Sequence, residues 1–468
     1  MLPKSNSPIR RARNRLLVAI FAVLLVLTPV PAAQAATAGL IEQDITFTSG
    51  DLTLHGTVIT PSAASTTRRP GMVMVHGSGR VLREGYRQEA ESFARSGIVT
   101  LIYDKRPKHS ETDVDFSLLA NDALAGLNAL RGRADVDPAR TGLWGVSEGG
   151  WVAPLAASRS RDVAFVVTVG GPGVAPERQQ SWNLANRLAA AGVSGSLLGT
   201  VSRTTMGLIV AAGMFPESGY DPVPVLRQVT QPMLGLWGEV DRVIPGAESM
   251  HIFQQALDQG GNTHYTLRAI PGADHTMRLS PDGFQPSDKV SPAYLQLVGS
   301  WVNNLATGPP AASVGAPSQQ DRQSTPVEPG SPWLQVAAVF LLLLTFGGYG
   351  ITAAIRRLRG HRDAPPARRP ARWLATTGLL TVLGLFGYLA YLASTGAKSL
   401  GVVFLGRPLP WLILQLLALA VVAATVTTIA AWWRTRSPLT GNRTRLALLI
   451  TGGLVFLPWA LNWGLLLP

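Results

Sequence analysis

The 468-residue chain contains no cysteine. This excludes disulfides, thiolate metal sites, thiol catalysis and lipid attachment through a lipobox cysteine. Charge is scarce as well: Asp, Glu, Lys and Arg together make up 15% of residues, against roughly a quarter in an average soluble domain. With 46% hydrophobic residues, the composition excludes a disordered or fibrous chain and points to membrane segments. The length is too great for one ordinary core and suffices for two or three compact units.

The net charge of +13 is not spread over a nucleic-acid surface. Lys4, Arg10, Arg11, Arg13 and Arg15 stand at the extreme N-terminus, seven Arg and one Asp lie in residues 356–372, and four Arg lie in 434–445. Residues 37–332 carry 23 Lys/Arg and 27 Asp/Glu, a net of −4. The basic residues flank apolar segments, so nucleic acid is not an expected partner.

After the basic start, Leu16 to Val30 is apolar apart from Thr28 and Pro29, and Ala33-Gln34-Ala35 offers small residues at a cleavage site. That order predicts a secretory signal peptide over residues 1–36, with an uncleaved anchor as the alternative. The apolar run of about 14 residues is short for a span of roughly 20. Arg10-Arg11 is followed by a poor twin-arginine context, so the general secretory route is expected.

At the other end, the uncharged stretches 329–355, 373–397, 408–433 and 446–468 are each long enough to cross a hydrocarbon layer of roughly 30 Å. They predict an all-α membrane domain over 333–468 with helices at about 333–355, 373–394, 410–432 and 446–467. Trp333, Trp373, Trp411, Trp432, Trp433, Trp459 and Trp463 sit near the ends, as in an interfacial belt. The loops alternate between seven Arg, then Lys398 and Arg407 only, then four Arg. The positive-inside rule makes the first and third loops cytoplasmic and the large domain extracytoplasmic, on a multi-pass cell-membrane protein. The interiors of the spans hold no Asp, Glu, Lys, Arg or His, and Gln415 and Asn462 are their only strongly polar side chains. An anchor packed through Gly347, Gly348 and Gly350 is therefore expected rather than an ion pathway. Residues 307–332, with six prolines, read as a semi-extended linker that lets the large domain stand off the membrane or fold back on it.

Over 37–306, a hairpin around Ser49-Gly50-Asp51 precedes buried-type strands at residues 72–75, 98–103, 141–146, 164–169, 233–237 and 265–270. Helical periodicity lies between them, as in Phe116, Leu119, Ala120, Ala123, Leu124, Leu127 and Leu130. This alternation predicts a mostly parallel α/β sheet covered by helices, with its site beyond the carboxyl ends of the strands. Residues 174–229 interrupt the pattern with apolar helical stretches at 181–191 and 197–215. They are expected either to cap the site, where they would suit an acyl chain, or to pack on the sheet.

Four segments fall at strand ends: His76-Gly77-Ser78-Gly79, Gly145-Val146-Ser147-Glu148-Gly149-Gly150, Gly238-Glu239-Val240-Asp241 and Asp274-His275. Gly-x-Ser-x-Gly between a strand and a helix is a nucleophile elbow, and the order Ser147, Asp241, His275 is nucleophile, acid, base. On these motifs residues 40–306 resemble the α/β hydrolases of the dienelactone-hydrolase and prolyl-oligopeptidase-like esterase/peptidase group. The loop Asp104-Lys105-Arg106-Pro107-Lys108-His109-Ser110 departs from the Asp-Lys-Arg-Gly-type turn of relatives; it is stiffer and more basic, so the pocket rim near it is not expected to follow theirs.

His275 would take the proton of the Ser147 hydroxyl, and Asp241 would hold the imidazole. Glu239 and Asp274 are the alternatives for the acid. The N–H of Glu148 with one from Gly77 or Ser78 would form the oxyanion hole. The Glu148 side chain is expected to cap its helix or touch substrate, His76 to hold the oxyanion loop, and His251 and His264 to have surface or packing roles. No metal or cofactor motif is present. The expected activity is serine hydrolysis of a small-molecule or lipid-like ester, less readily an amide, at a membrane bilayer. The alternatives are acyl transfer through the same acyl-enzyme and a non-catalytic sensor. No protein partner is specified.

Overall fold

The computed structural model describes residues 39–63, 65–79, 81–107, 114–320, 322–359, 368–434 and 440–468. The expected signal segment 1–36, the loop residues 108–113 and the arginine-bearing stretches 360–367 and 435–439 lie outside the described residues.

The chain opens with the hairpin β1 (Leu40–Ser49) and β2 (Leu52–Pro61), turned at Gly50. Then follow β3 (Arg69–Val75), α1 (Arg87–Arg95), β4 (Val99–Tyr103), α2 (Phe116–Arg131), β5 (Val136–Val146), α3 (Gly149–Arg159) and β6 (Val166–Val169). After an insertion come β7 (Met233–Gly238), α8 (Gly246–Gln259), β8 (Tyr265–Ile270), α9 (Pro292–Asn304) and the short β9 (Ser313–Val314). The sheet order is β1-β2-β4-β3-β5-β6-β7-β8-β9. The pairs β1/β2 and β2/β4 are antiparallel and the remaining pairs parallel.

The period of two along each strand divides the core. Val73 and Val75 of β3 face the layer of α2, α3 and α8, with Leu127, Val152 and Phe253. Met72 and Met74 face α1 and α9, with Phe93, Tyr294 and Trp301. Both faces are dry because parallel strands joined by crossover helices are covered on both sides. The helices carry matching stripes: α2 starts at Asp115, whose side chain accepts the Leu118 N–H, and it buries Phe116, Leu119, Ala120, Ala123, Leu127 and Leu130. Truncating a fully buried member such as Leu143 to Ala costs about 2–5 kcal/mol.

The insertion contains α4 (Pro176–Ala190), α5 (Ser196–Gly199), a π-helical turn (Thr200–Thr205), α6 (Met206–Ala211) and α7 (Val223–Leu226). The apolar side chains at the end of α4 and around α5 have a cover that the sequence did not suggest. Leu188, Val193, Leu197 and Val201 share one buried cluster with the C-terminal helices, so this surface is covered by the helical bundle rather than by the sheet or an open pocket.

Among the described residues four helices are long and apolar enough to cross a membrane: α10 (Pro332–Leu358), α11 (Arg368–Ser394), α12 (Leu409–Arg434) and α13 (Thr440–Asn462). A two-stranded pair, β10 (Val403–Phe404) and β11 (Arg407–Pro408), joins α11 to α12. The expected packing through Gly347, Gly348 and Gly350 is not observed, since a Cβ at any of them would meet open space. Close approach occurs elsewhere: a Cβ on Gly378 would stand 2.5 Å from the Phe346 ring, and one on Gly453 2.4 Å from Thr425 Oγ1. Gln415 donates to Leu467 O (2.7 Å), beyond α13, and to Ser196 Oγ (3.3 Å) in the insertion.

The proline-rich linker lies along the α/β domain. Its Ser313–Val314 pairs with β8, Gln319 N–H donates to Glu239 O, and Arg322 O accepts the Trp182 indole N–H. The segment expected to be a semi-extended linker is therefore hydrogen-bonded to this domain at its described residues. Backbone hydrogen bonds compensate for the missing apolar side chains.

Candidate active site

β5 delivers Ser147 in a strained turn with φ +54°. The flanking glycines are required by close approach: a Cβ on Gly145 would lie 2.1 Å from Gly149 O. The Ser147 N–H donates to Val169 O (2.8 Å) at the end of β6. The next residue, Gly170, donates to Leu236 O of β7 and lies beneath His275, so a Cβ there would stand 2.8 Å from the ring Nδ1. Ser147 and His275 thus meet the same strand end from two sides.

Asp241 follows β7 and is fully buried. Its Oδ2 is 2.9 Å from His275 Nδ1, and its Oδ1 accepts the N–H groups of Val243 (2.8 Å) and Ile244 (2.9 Å). The other carboxylates considered for this role are engaged elsewhere. Glu239 accepts the Gly272 N–H, and Asp274 accepts from Thr276 and Arg278. Burial is the largest influence on His275 and opposes its charging. The charge and hydrogen bond of Asp241, with Asp274 added, outweigh burial and the opposing charge of Arg187, so its pKa is raised. Among the described residues no hydrogen bond joins the Ser147 hydroxyl to the His275 ring; such bonds commonly close only in the Michaelis complex.

Of the three expected oxyanion donors, Gly77 differs from the other two. Its N–H is used by the Tyr86 hydroxyl (3.0 Å), whereas the N–H groups of Ser78 and Glu148 have no partner among the described residues. His76 is buried, its Nε2 is 2.5 Å from Tyr103 O, and burial lowers its pKa to about 3. It is therefore neutral and structural at ordinary pH. Burial raises the Tyr86 phenol to about 12, so it stays protonated.

The Glu148 side chain neither caps α3 nor faces solvent. It forms a buried ion pair with Lys105 at 2.5 Å, and Lys105 Nζ also donates to Gly77 O at 2.7 Å. Sequence reasoning missed Lys105 and Tyr86, because no spacing rule links Lys105 to a glutamate 43 positions away. His264 sits against Pro310 O (3.1 Å), and His251 is exposed on α8. Among the described residues no group of three His, Asp or Glu side chains is arranged to hold a metal ion.

Comparison with known proteins bears on the same region. Residues 118–287 match the model of the prolyl oligopeptidase family. The mostly parallel sheet with helices on both faces matches the α/β-hydrolase fold. One curated relative is a thiohydrolase of Aspergillus aculeatus, 32% identical over 106 residues; the match covers 21% of this chain and 33% of that protein, so this chain spans about a third of the relative's length. Among solved structures, the dienelactone hydrolase of Anabaena variabilis is 20% identical, with 57% of this chain and 98% of that chain covered and a TM-score of 0.38. An esterase of Pyrococcus furiosus is 17% identical, with 57% and 91% covered and a TM-score of 0.41. The acylaminoacyl peptidase of Pyrococcus horikoshii is 18% identical, with 59% and 43% covered and a TM-score of 0.38.

Proposed function

We propose that this chain is a membrane-tethered, extracytoplasmic serine hydrolase that cleaves esters, with thioesters as a second substrate class and amides as a poorer one. The observation that carries the catalytic reading is the buried Asp241–His275 pair beside a serine held at φ +54° on a strand–helix turn. A serine hydroxyl is a weak nucleophile until a base accepts its proton. His275 takes that proton as Ser147 Oγ bonds to the carbonyl carbon, and Asp241 steadies the imidazolium. The carbonyl oxygen becomes an oxyanion facing the N–H groups of Ser78 and Glu148. His275 then protonates the departing alcohol or thiol, and water resolves the acyl-enzyme by the same steps. The thioester class is included because the partial relative is a thiohydrolase.

The tether is read from four helices of spanning length. The side is read from the signal-like N-terminus and the arginine-rich first and third loops. Fluorophosphonate labelling of the full chain in detergent, wild type beside Ser147→Ala, tests the chemistry. Labelling that disappears in the variant, with ester turnover, supports the reading. A folded wild-type chain that neither labels nor turns over esters rejects it.

A further inference from the structure

The two N–H groups left free at the elbow come from segments about 70 residues apart, and one buried cation touches both segments. The Lys105 side chain is 3% exposed, and its ammonium donates to Gly77 O (2.7 Å) and Glu148 Oε1 (2.5 Å). Its backbone is anchored as well. The Lys105 N–H donates to Val81 O, the Asp104 N–H to His55 O, and Arg106 makes a two-pronged bond to Asp122.

Peptide planarity turns the first contact into an orientation. The Gly77 carbonyl and the Ser78 N–H belong to one trans peptide and point in opposite directions. Drawing Gly77 O toward Lys105 therefore aims the Ser78 N–H away from it. The Gly77 N–H, bonded to Tyr86, holds the preceding peptide. A cation on the carbonyl also polarises that peptide, which strengthens its N–H as a donor. The second contact fixes Glu148, the residue that supplies the other donor. Stability alone is a poor reason for such a pair, since apolar groups of similar volume commonly replace a buried ion pair without loss.

We propose that Lys105 is the positioning residue of the oxyanion hole, setting the aim and separation of the Ser78 and Glu148 N–H groups by holding Gly77 and Glu148 at once. This rests on the serine-hydrolase mechanism above. Lys105 touches no reacting atom; it acts through the two peptides.

The test uses the full chain in detergent with an aryl acetate and the matching aryl thionoacetate, whose sulfur is a poorer acceptor for the hole. Lys105→Met leaves Glu148 buried and unpaired, so the double variant Lys105→Met/Glu148→Met is measured beside it to keep a folded reference. In whichever variants fold, kcat should fall about 100-fold, KM should stay near wild type, and the oxygen-to-sulfur rate ratio should collapse toward that of the uncatalysed reaction. An unchanged kcat, or a loss of activity with the wild-type ratio retained, overturns the proposal. A wild-type chain in which Ser147 is not labelled and neither ester is cleaved overturns the hydrolase reading itself, and is recognised before any variant is compared.

Discussion

His275 Nδ1 lies 2.9 Å from Asp241 Oδ2, while the second oxygen of the same carboxylate is held by the Val243 and Ile244 N–H groups. The carboxylate is thus fixed at both oxygens, and the imidazole has one orientation available to it. Because the net effect is a pKa above 6.5, and the base must be neutral to accept a proton, kcat/KM should rise with pH along an acid limb centred above 6.5. Asp241→Asn removes the partner that raises it. The limb should move to lower pH and kcat should fall about 10⁴-fold, as read from a pH–rate profile. For stability the sign reverses: the contribution of a raised histidine is complete below its unfolded value and is lost as pH rises through the folded one.

Orientation is directly testable because the chain has no thiol of its own. Val402→Cys, between α11 and α12, should react with an impermeant maleimide on intact cells. Arg359→Cys, at the far end of α10, should react only after permeabilisation. The opposite pattern would place the hydrolytic domain in the cytoplasm.

Glycines in the bundle should divide by contact rather than by clustering. Gly347→Ala projects into open space and should leave thermal unfolding in detergent unchanged. Gly378→Ala would set a methyl 2.5 Å from the buried Phe346 ring and should destabilise by about 1–3 kcal/mol.

Residues 37–330 expressed alone would uncover Leu188, Val193, Leu197 and Val201, which the bundle buries. That fragment should aggregate or require detergent, and polar substitution at the four positions should restore its solubility. A fragment that is monodisperse without either remedy would show that the contact with the bundle contributes little.

The sheet, its strand ends and the residues Ser147, Asp241 and His275 were legible because β-branched runs, glycine turns and chain order are local signals. The four apolar helices were legible from length and charge alone. Contacts between distant segments were not. Gly347, Gly348 and Gly350 looked like a packing motif, yet helix rotation leaves them facing open space while isolated glycines make the close approaches. The apolar surface of residues 188–201 was visible, but hydropathy does not say what covers a surface. Lys105 was visible only as part of a basic loop and Glu148 as a helix cap or substrate contact, and neither reading foresaw that the fold buries them together.

The course of the linker has a mechanical consequence. A 26-residue tether could let a domain roam through a wide volume, but this one is spent along the protein surface, paired at Ser313–Val314 and bonded at Gln319 and Arg322. Meanwhile α4 presents Gln179 and Asn186 to the backbone of the acid loop, and Leu188 to the bundle. One helix, roughly 10 Å across, thus serves as the strut between catalytic loop and spans. The placement of the acid loop relative to the helical bundle is set by α4 rather than by the slack of the connecting peptide.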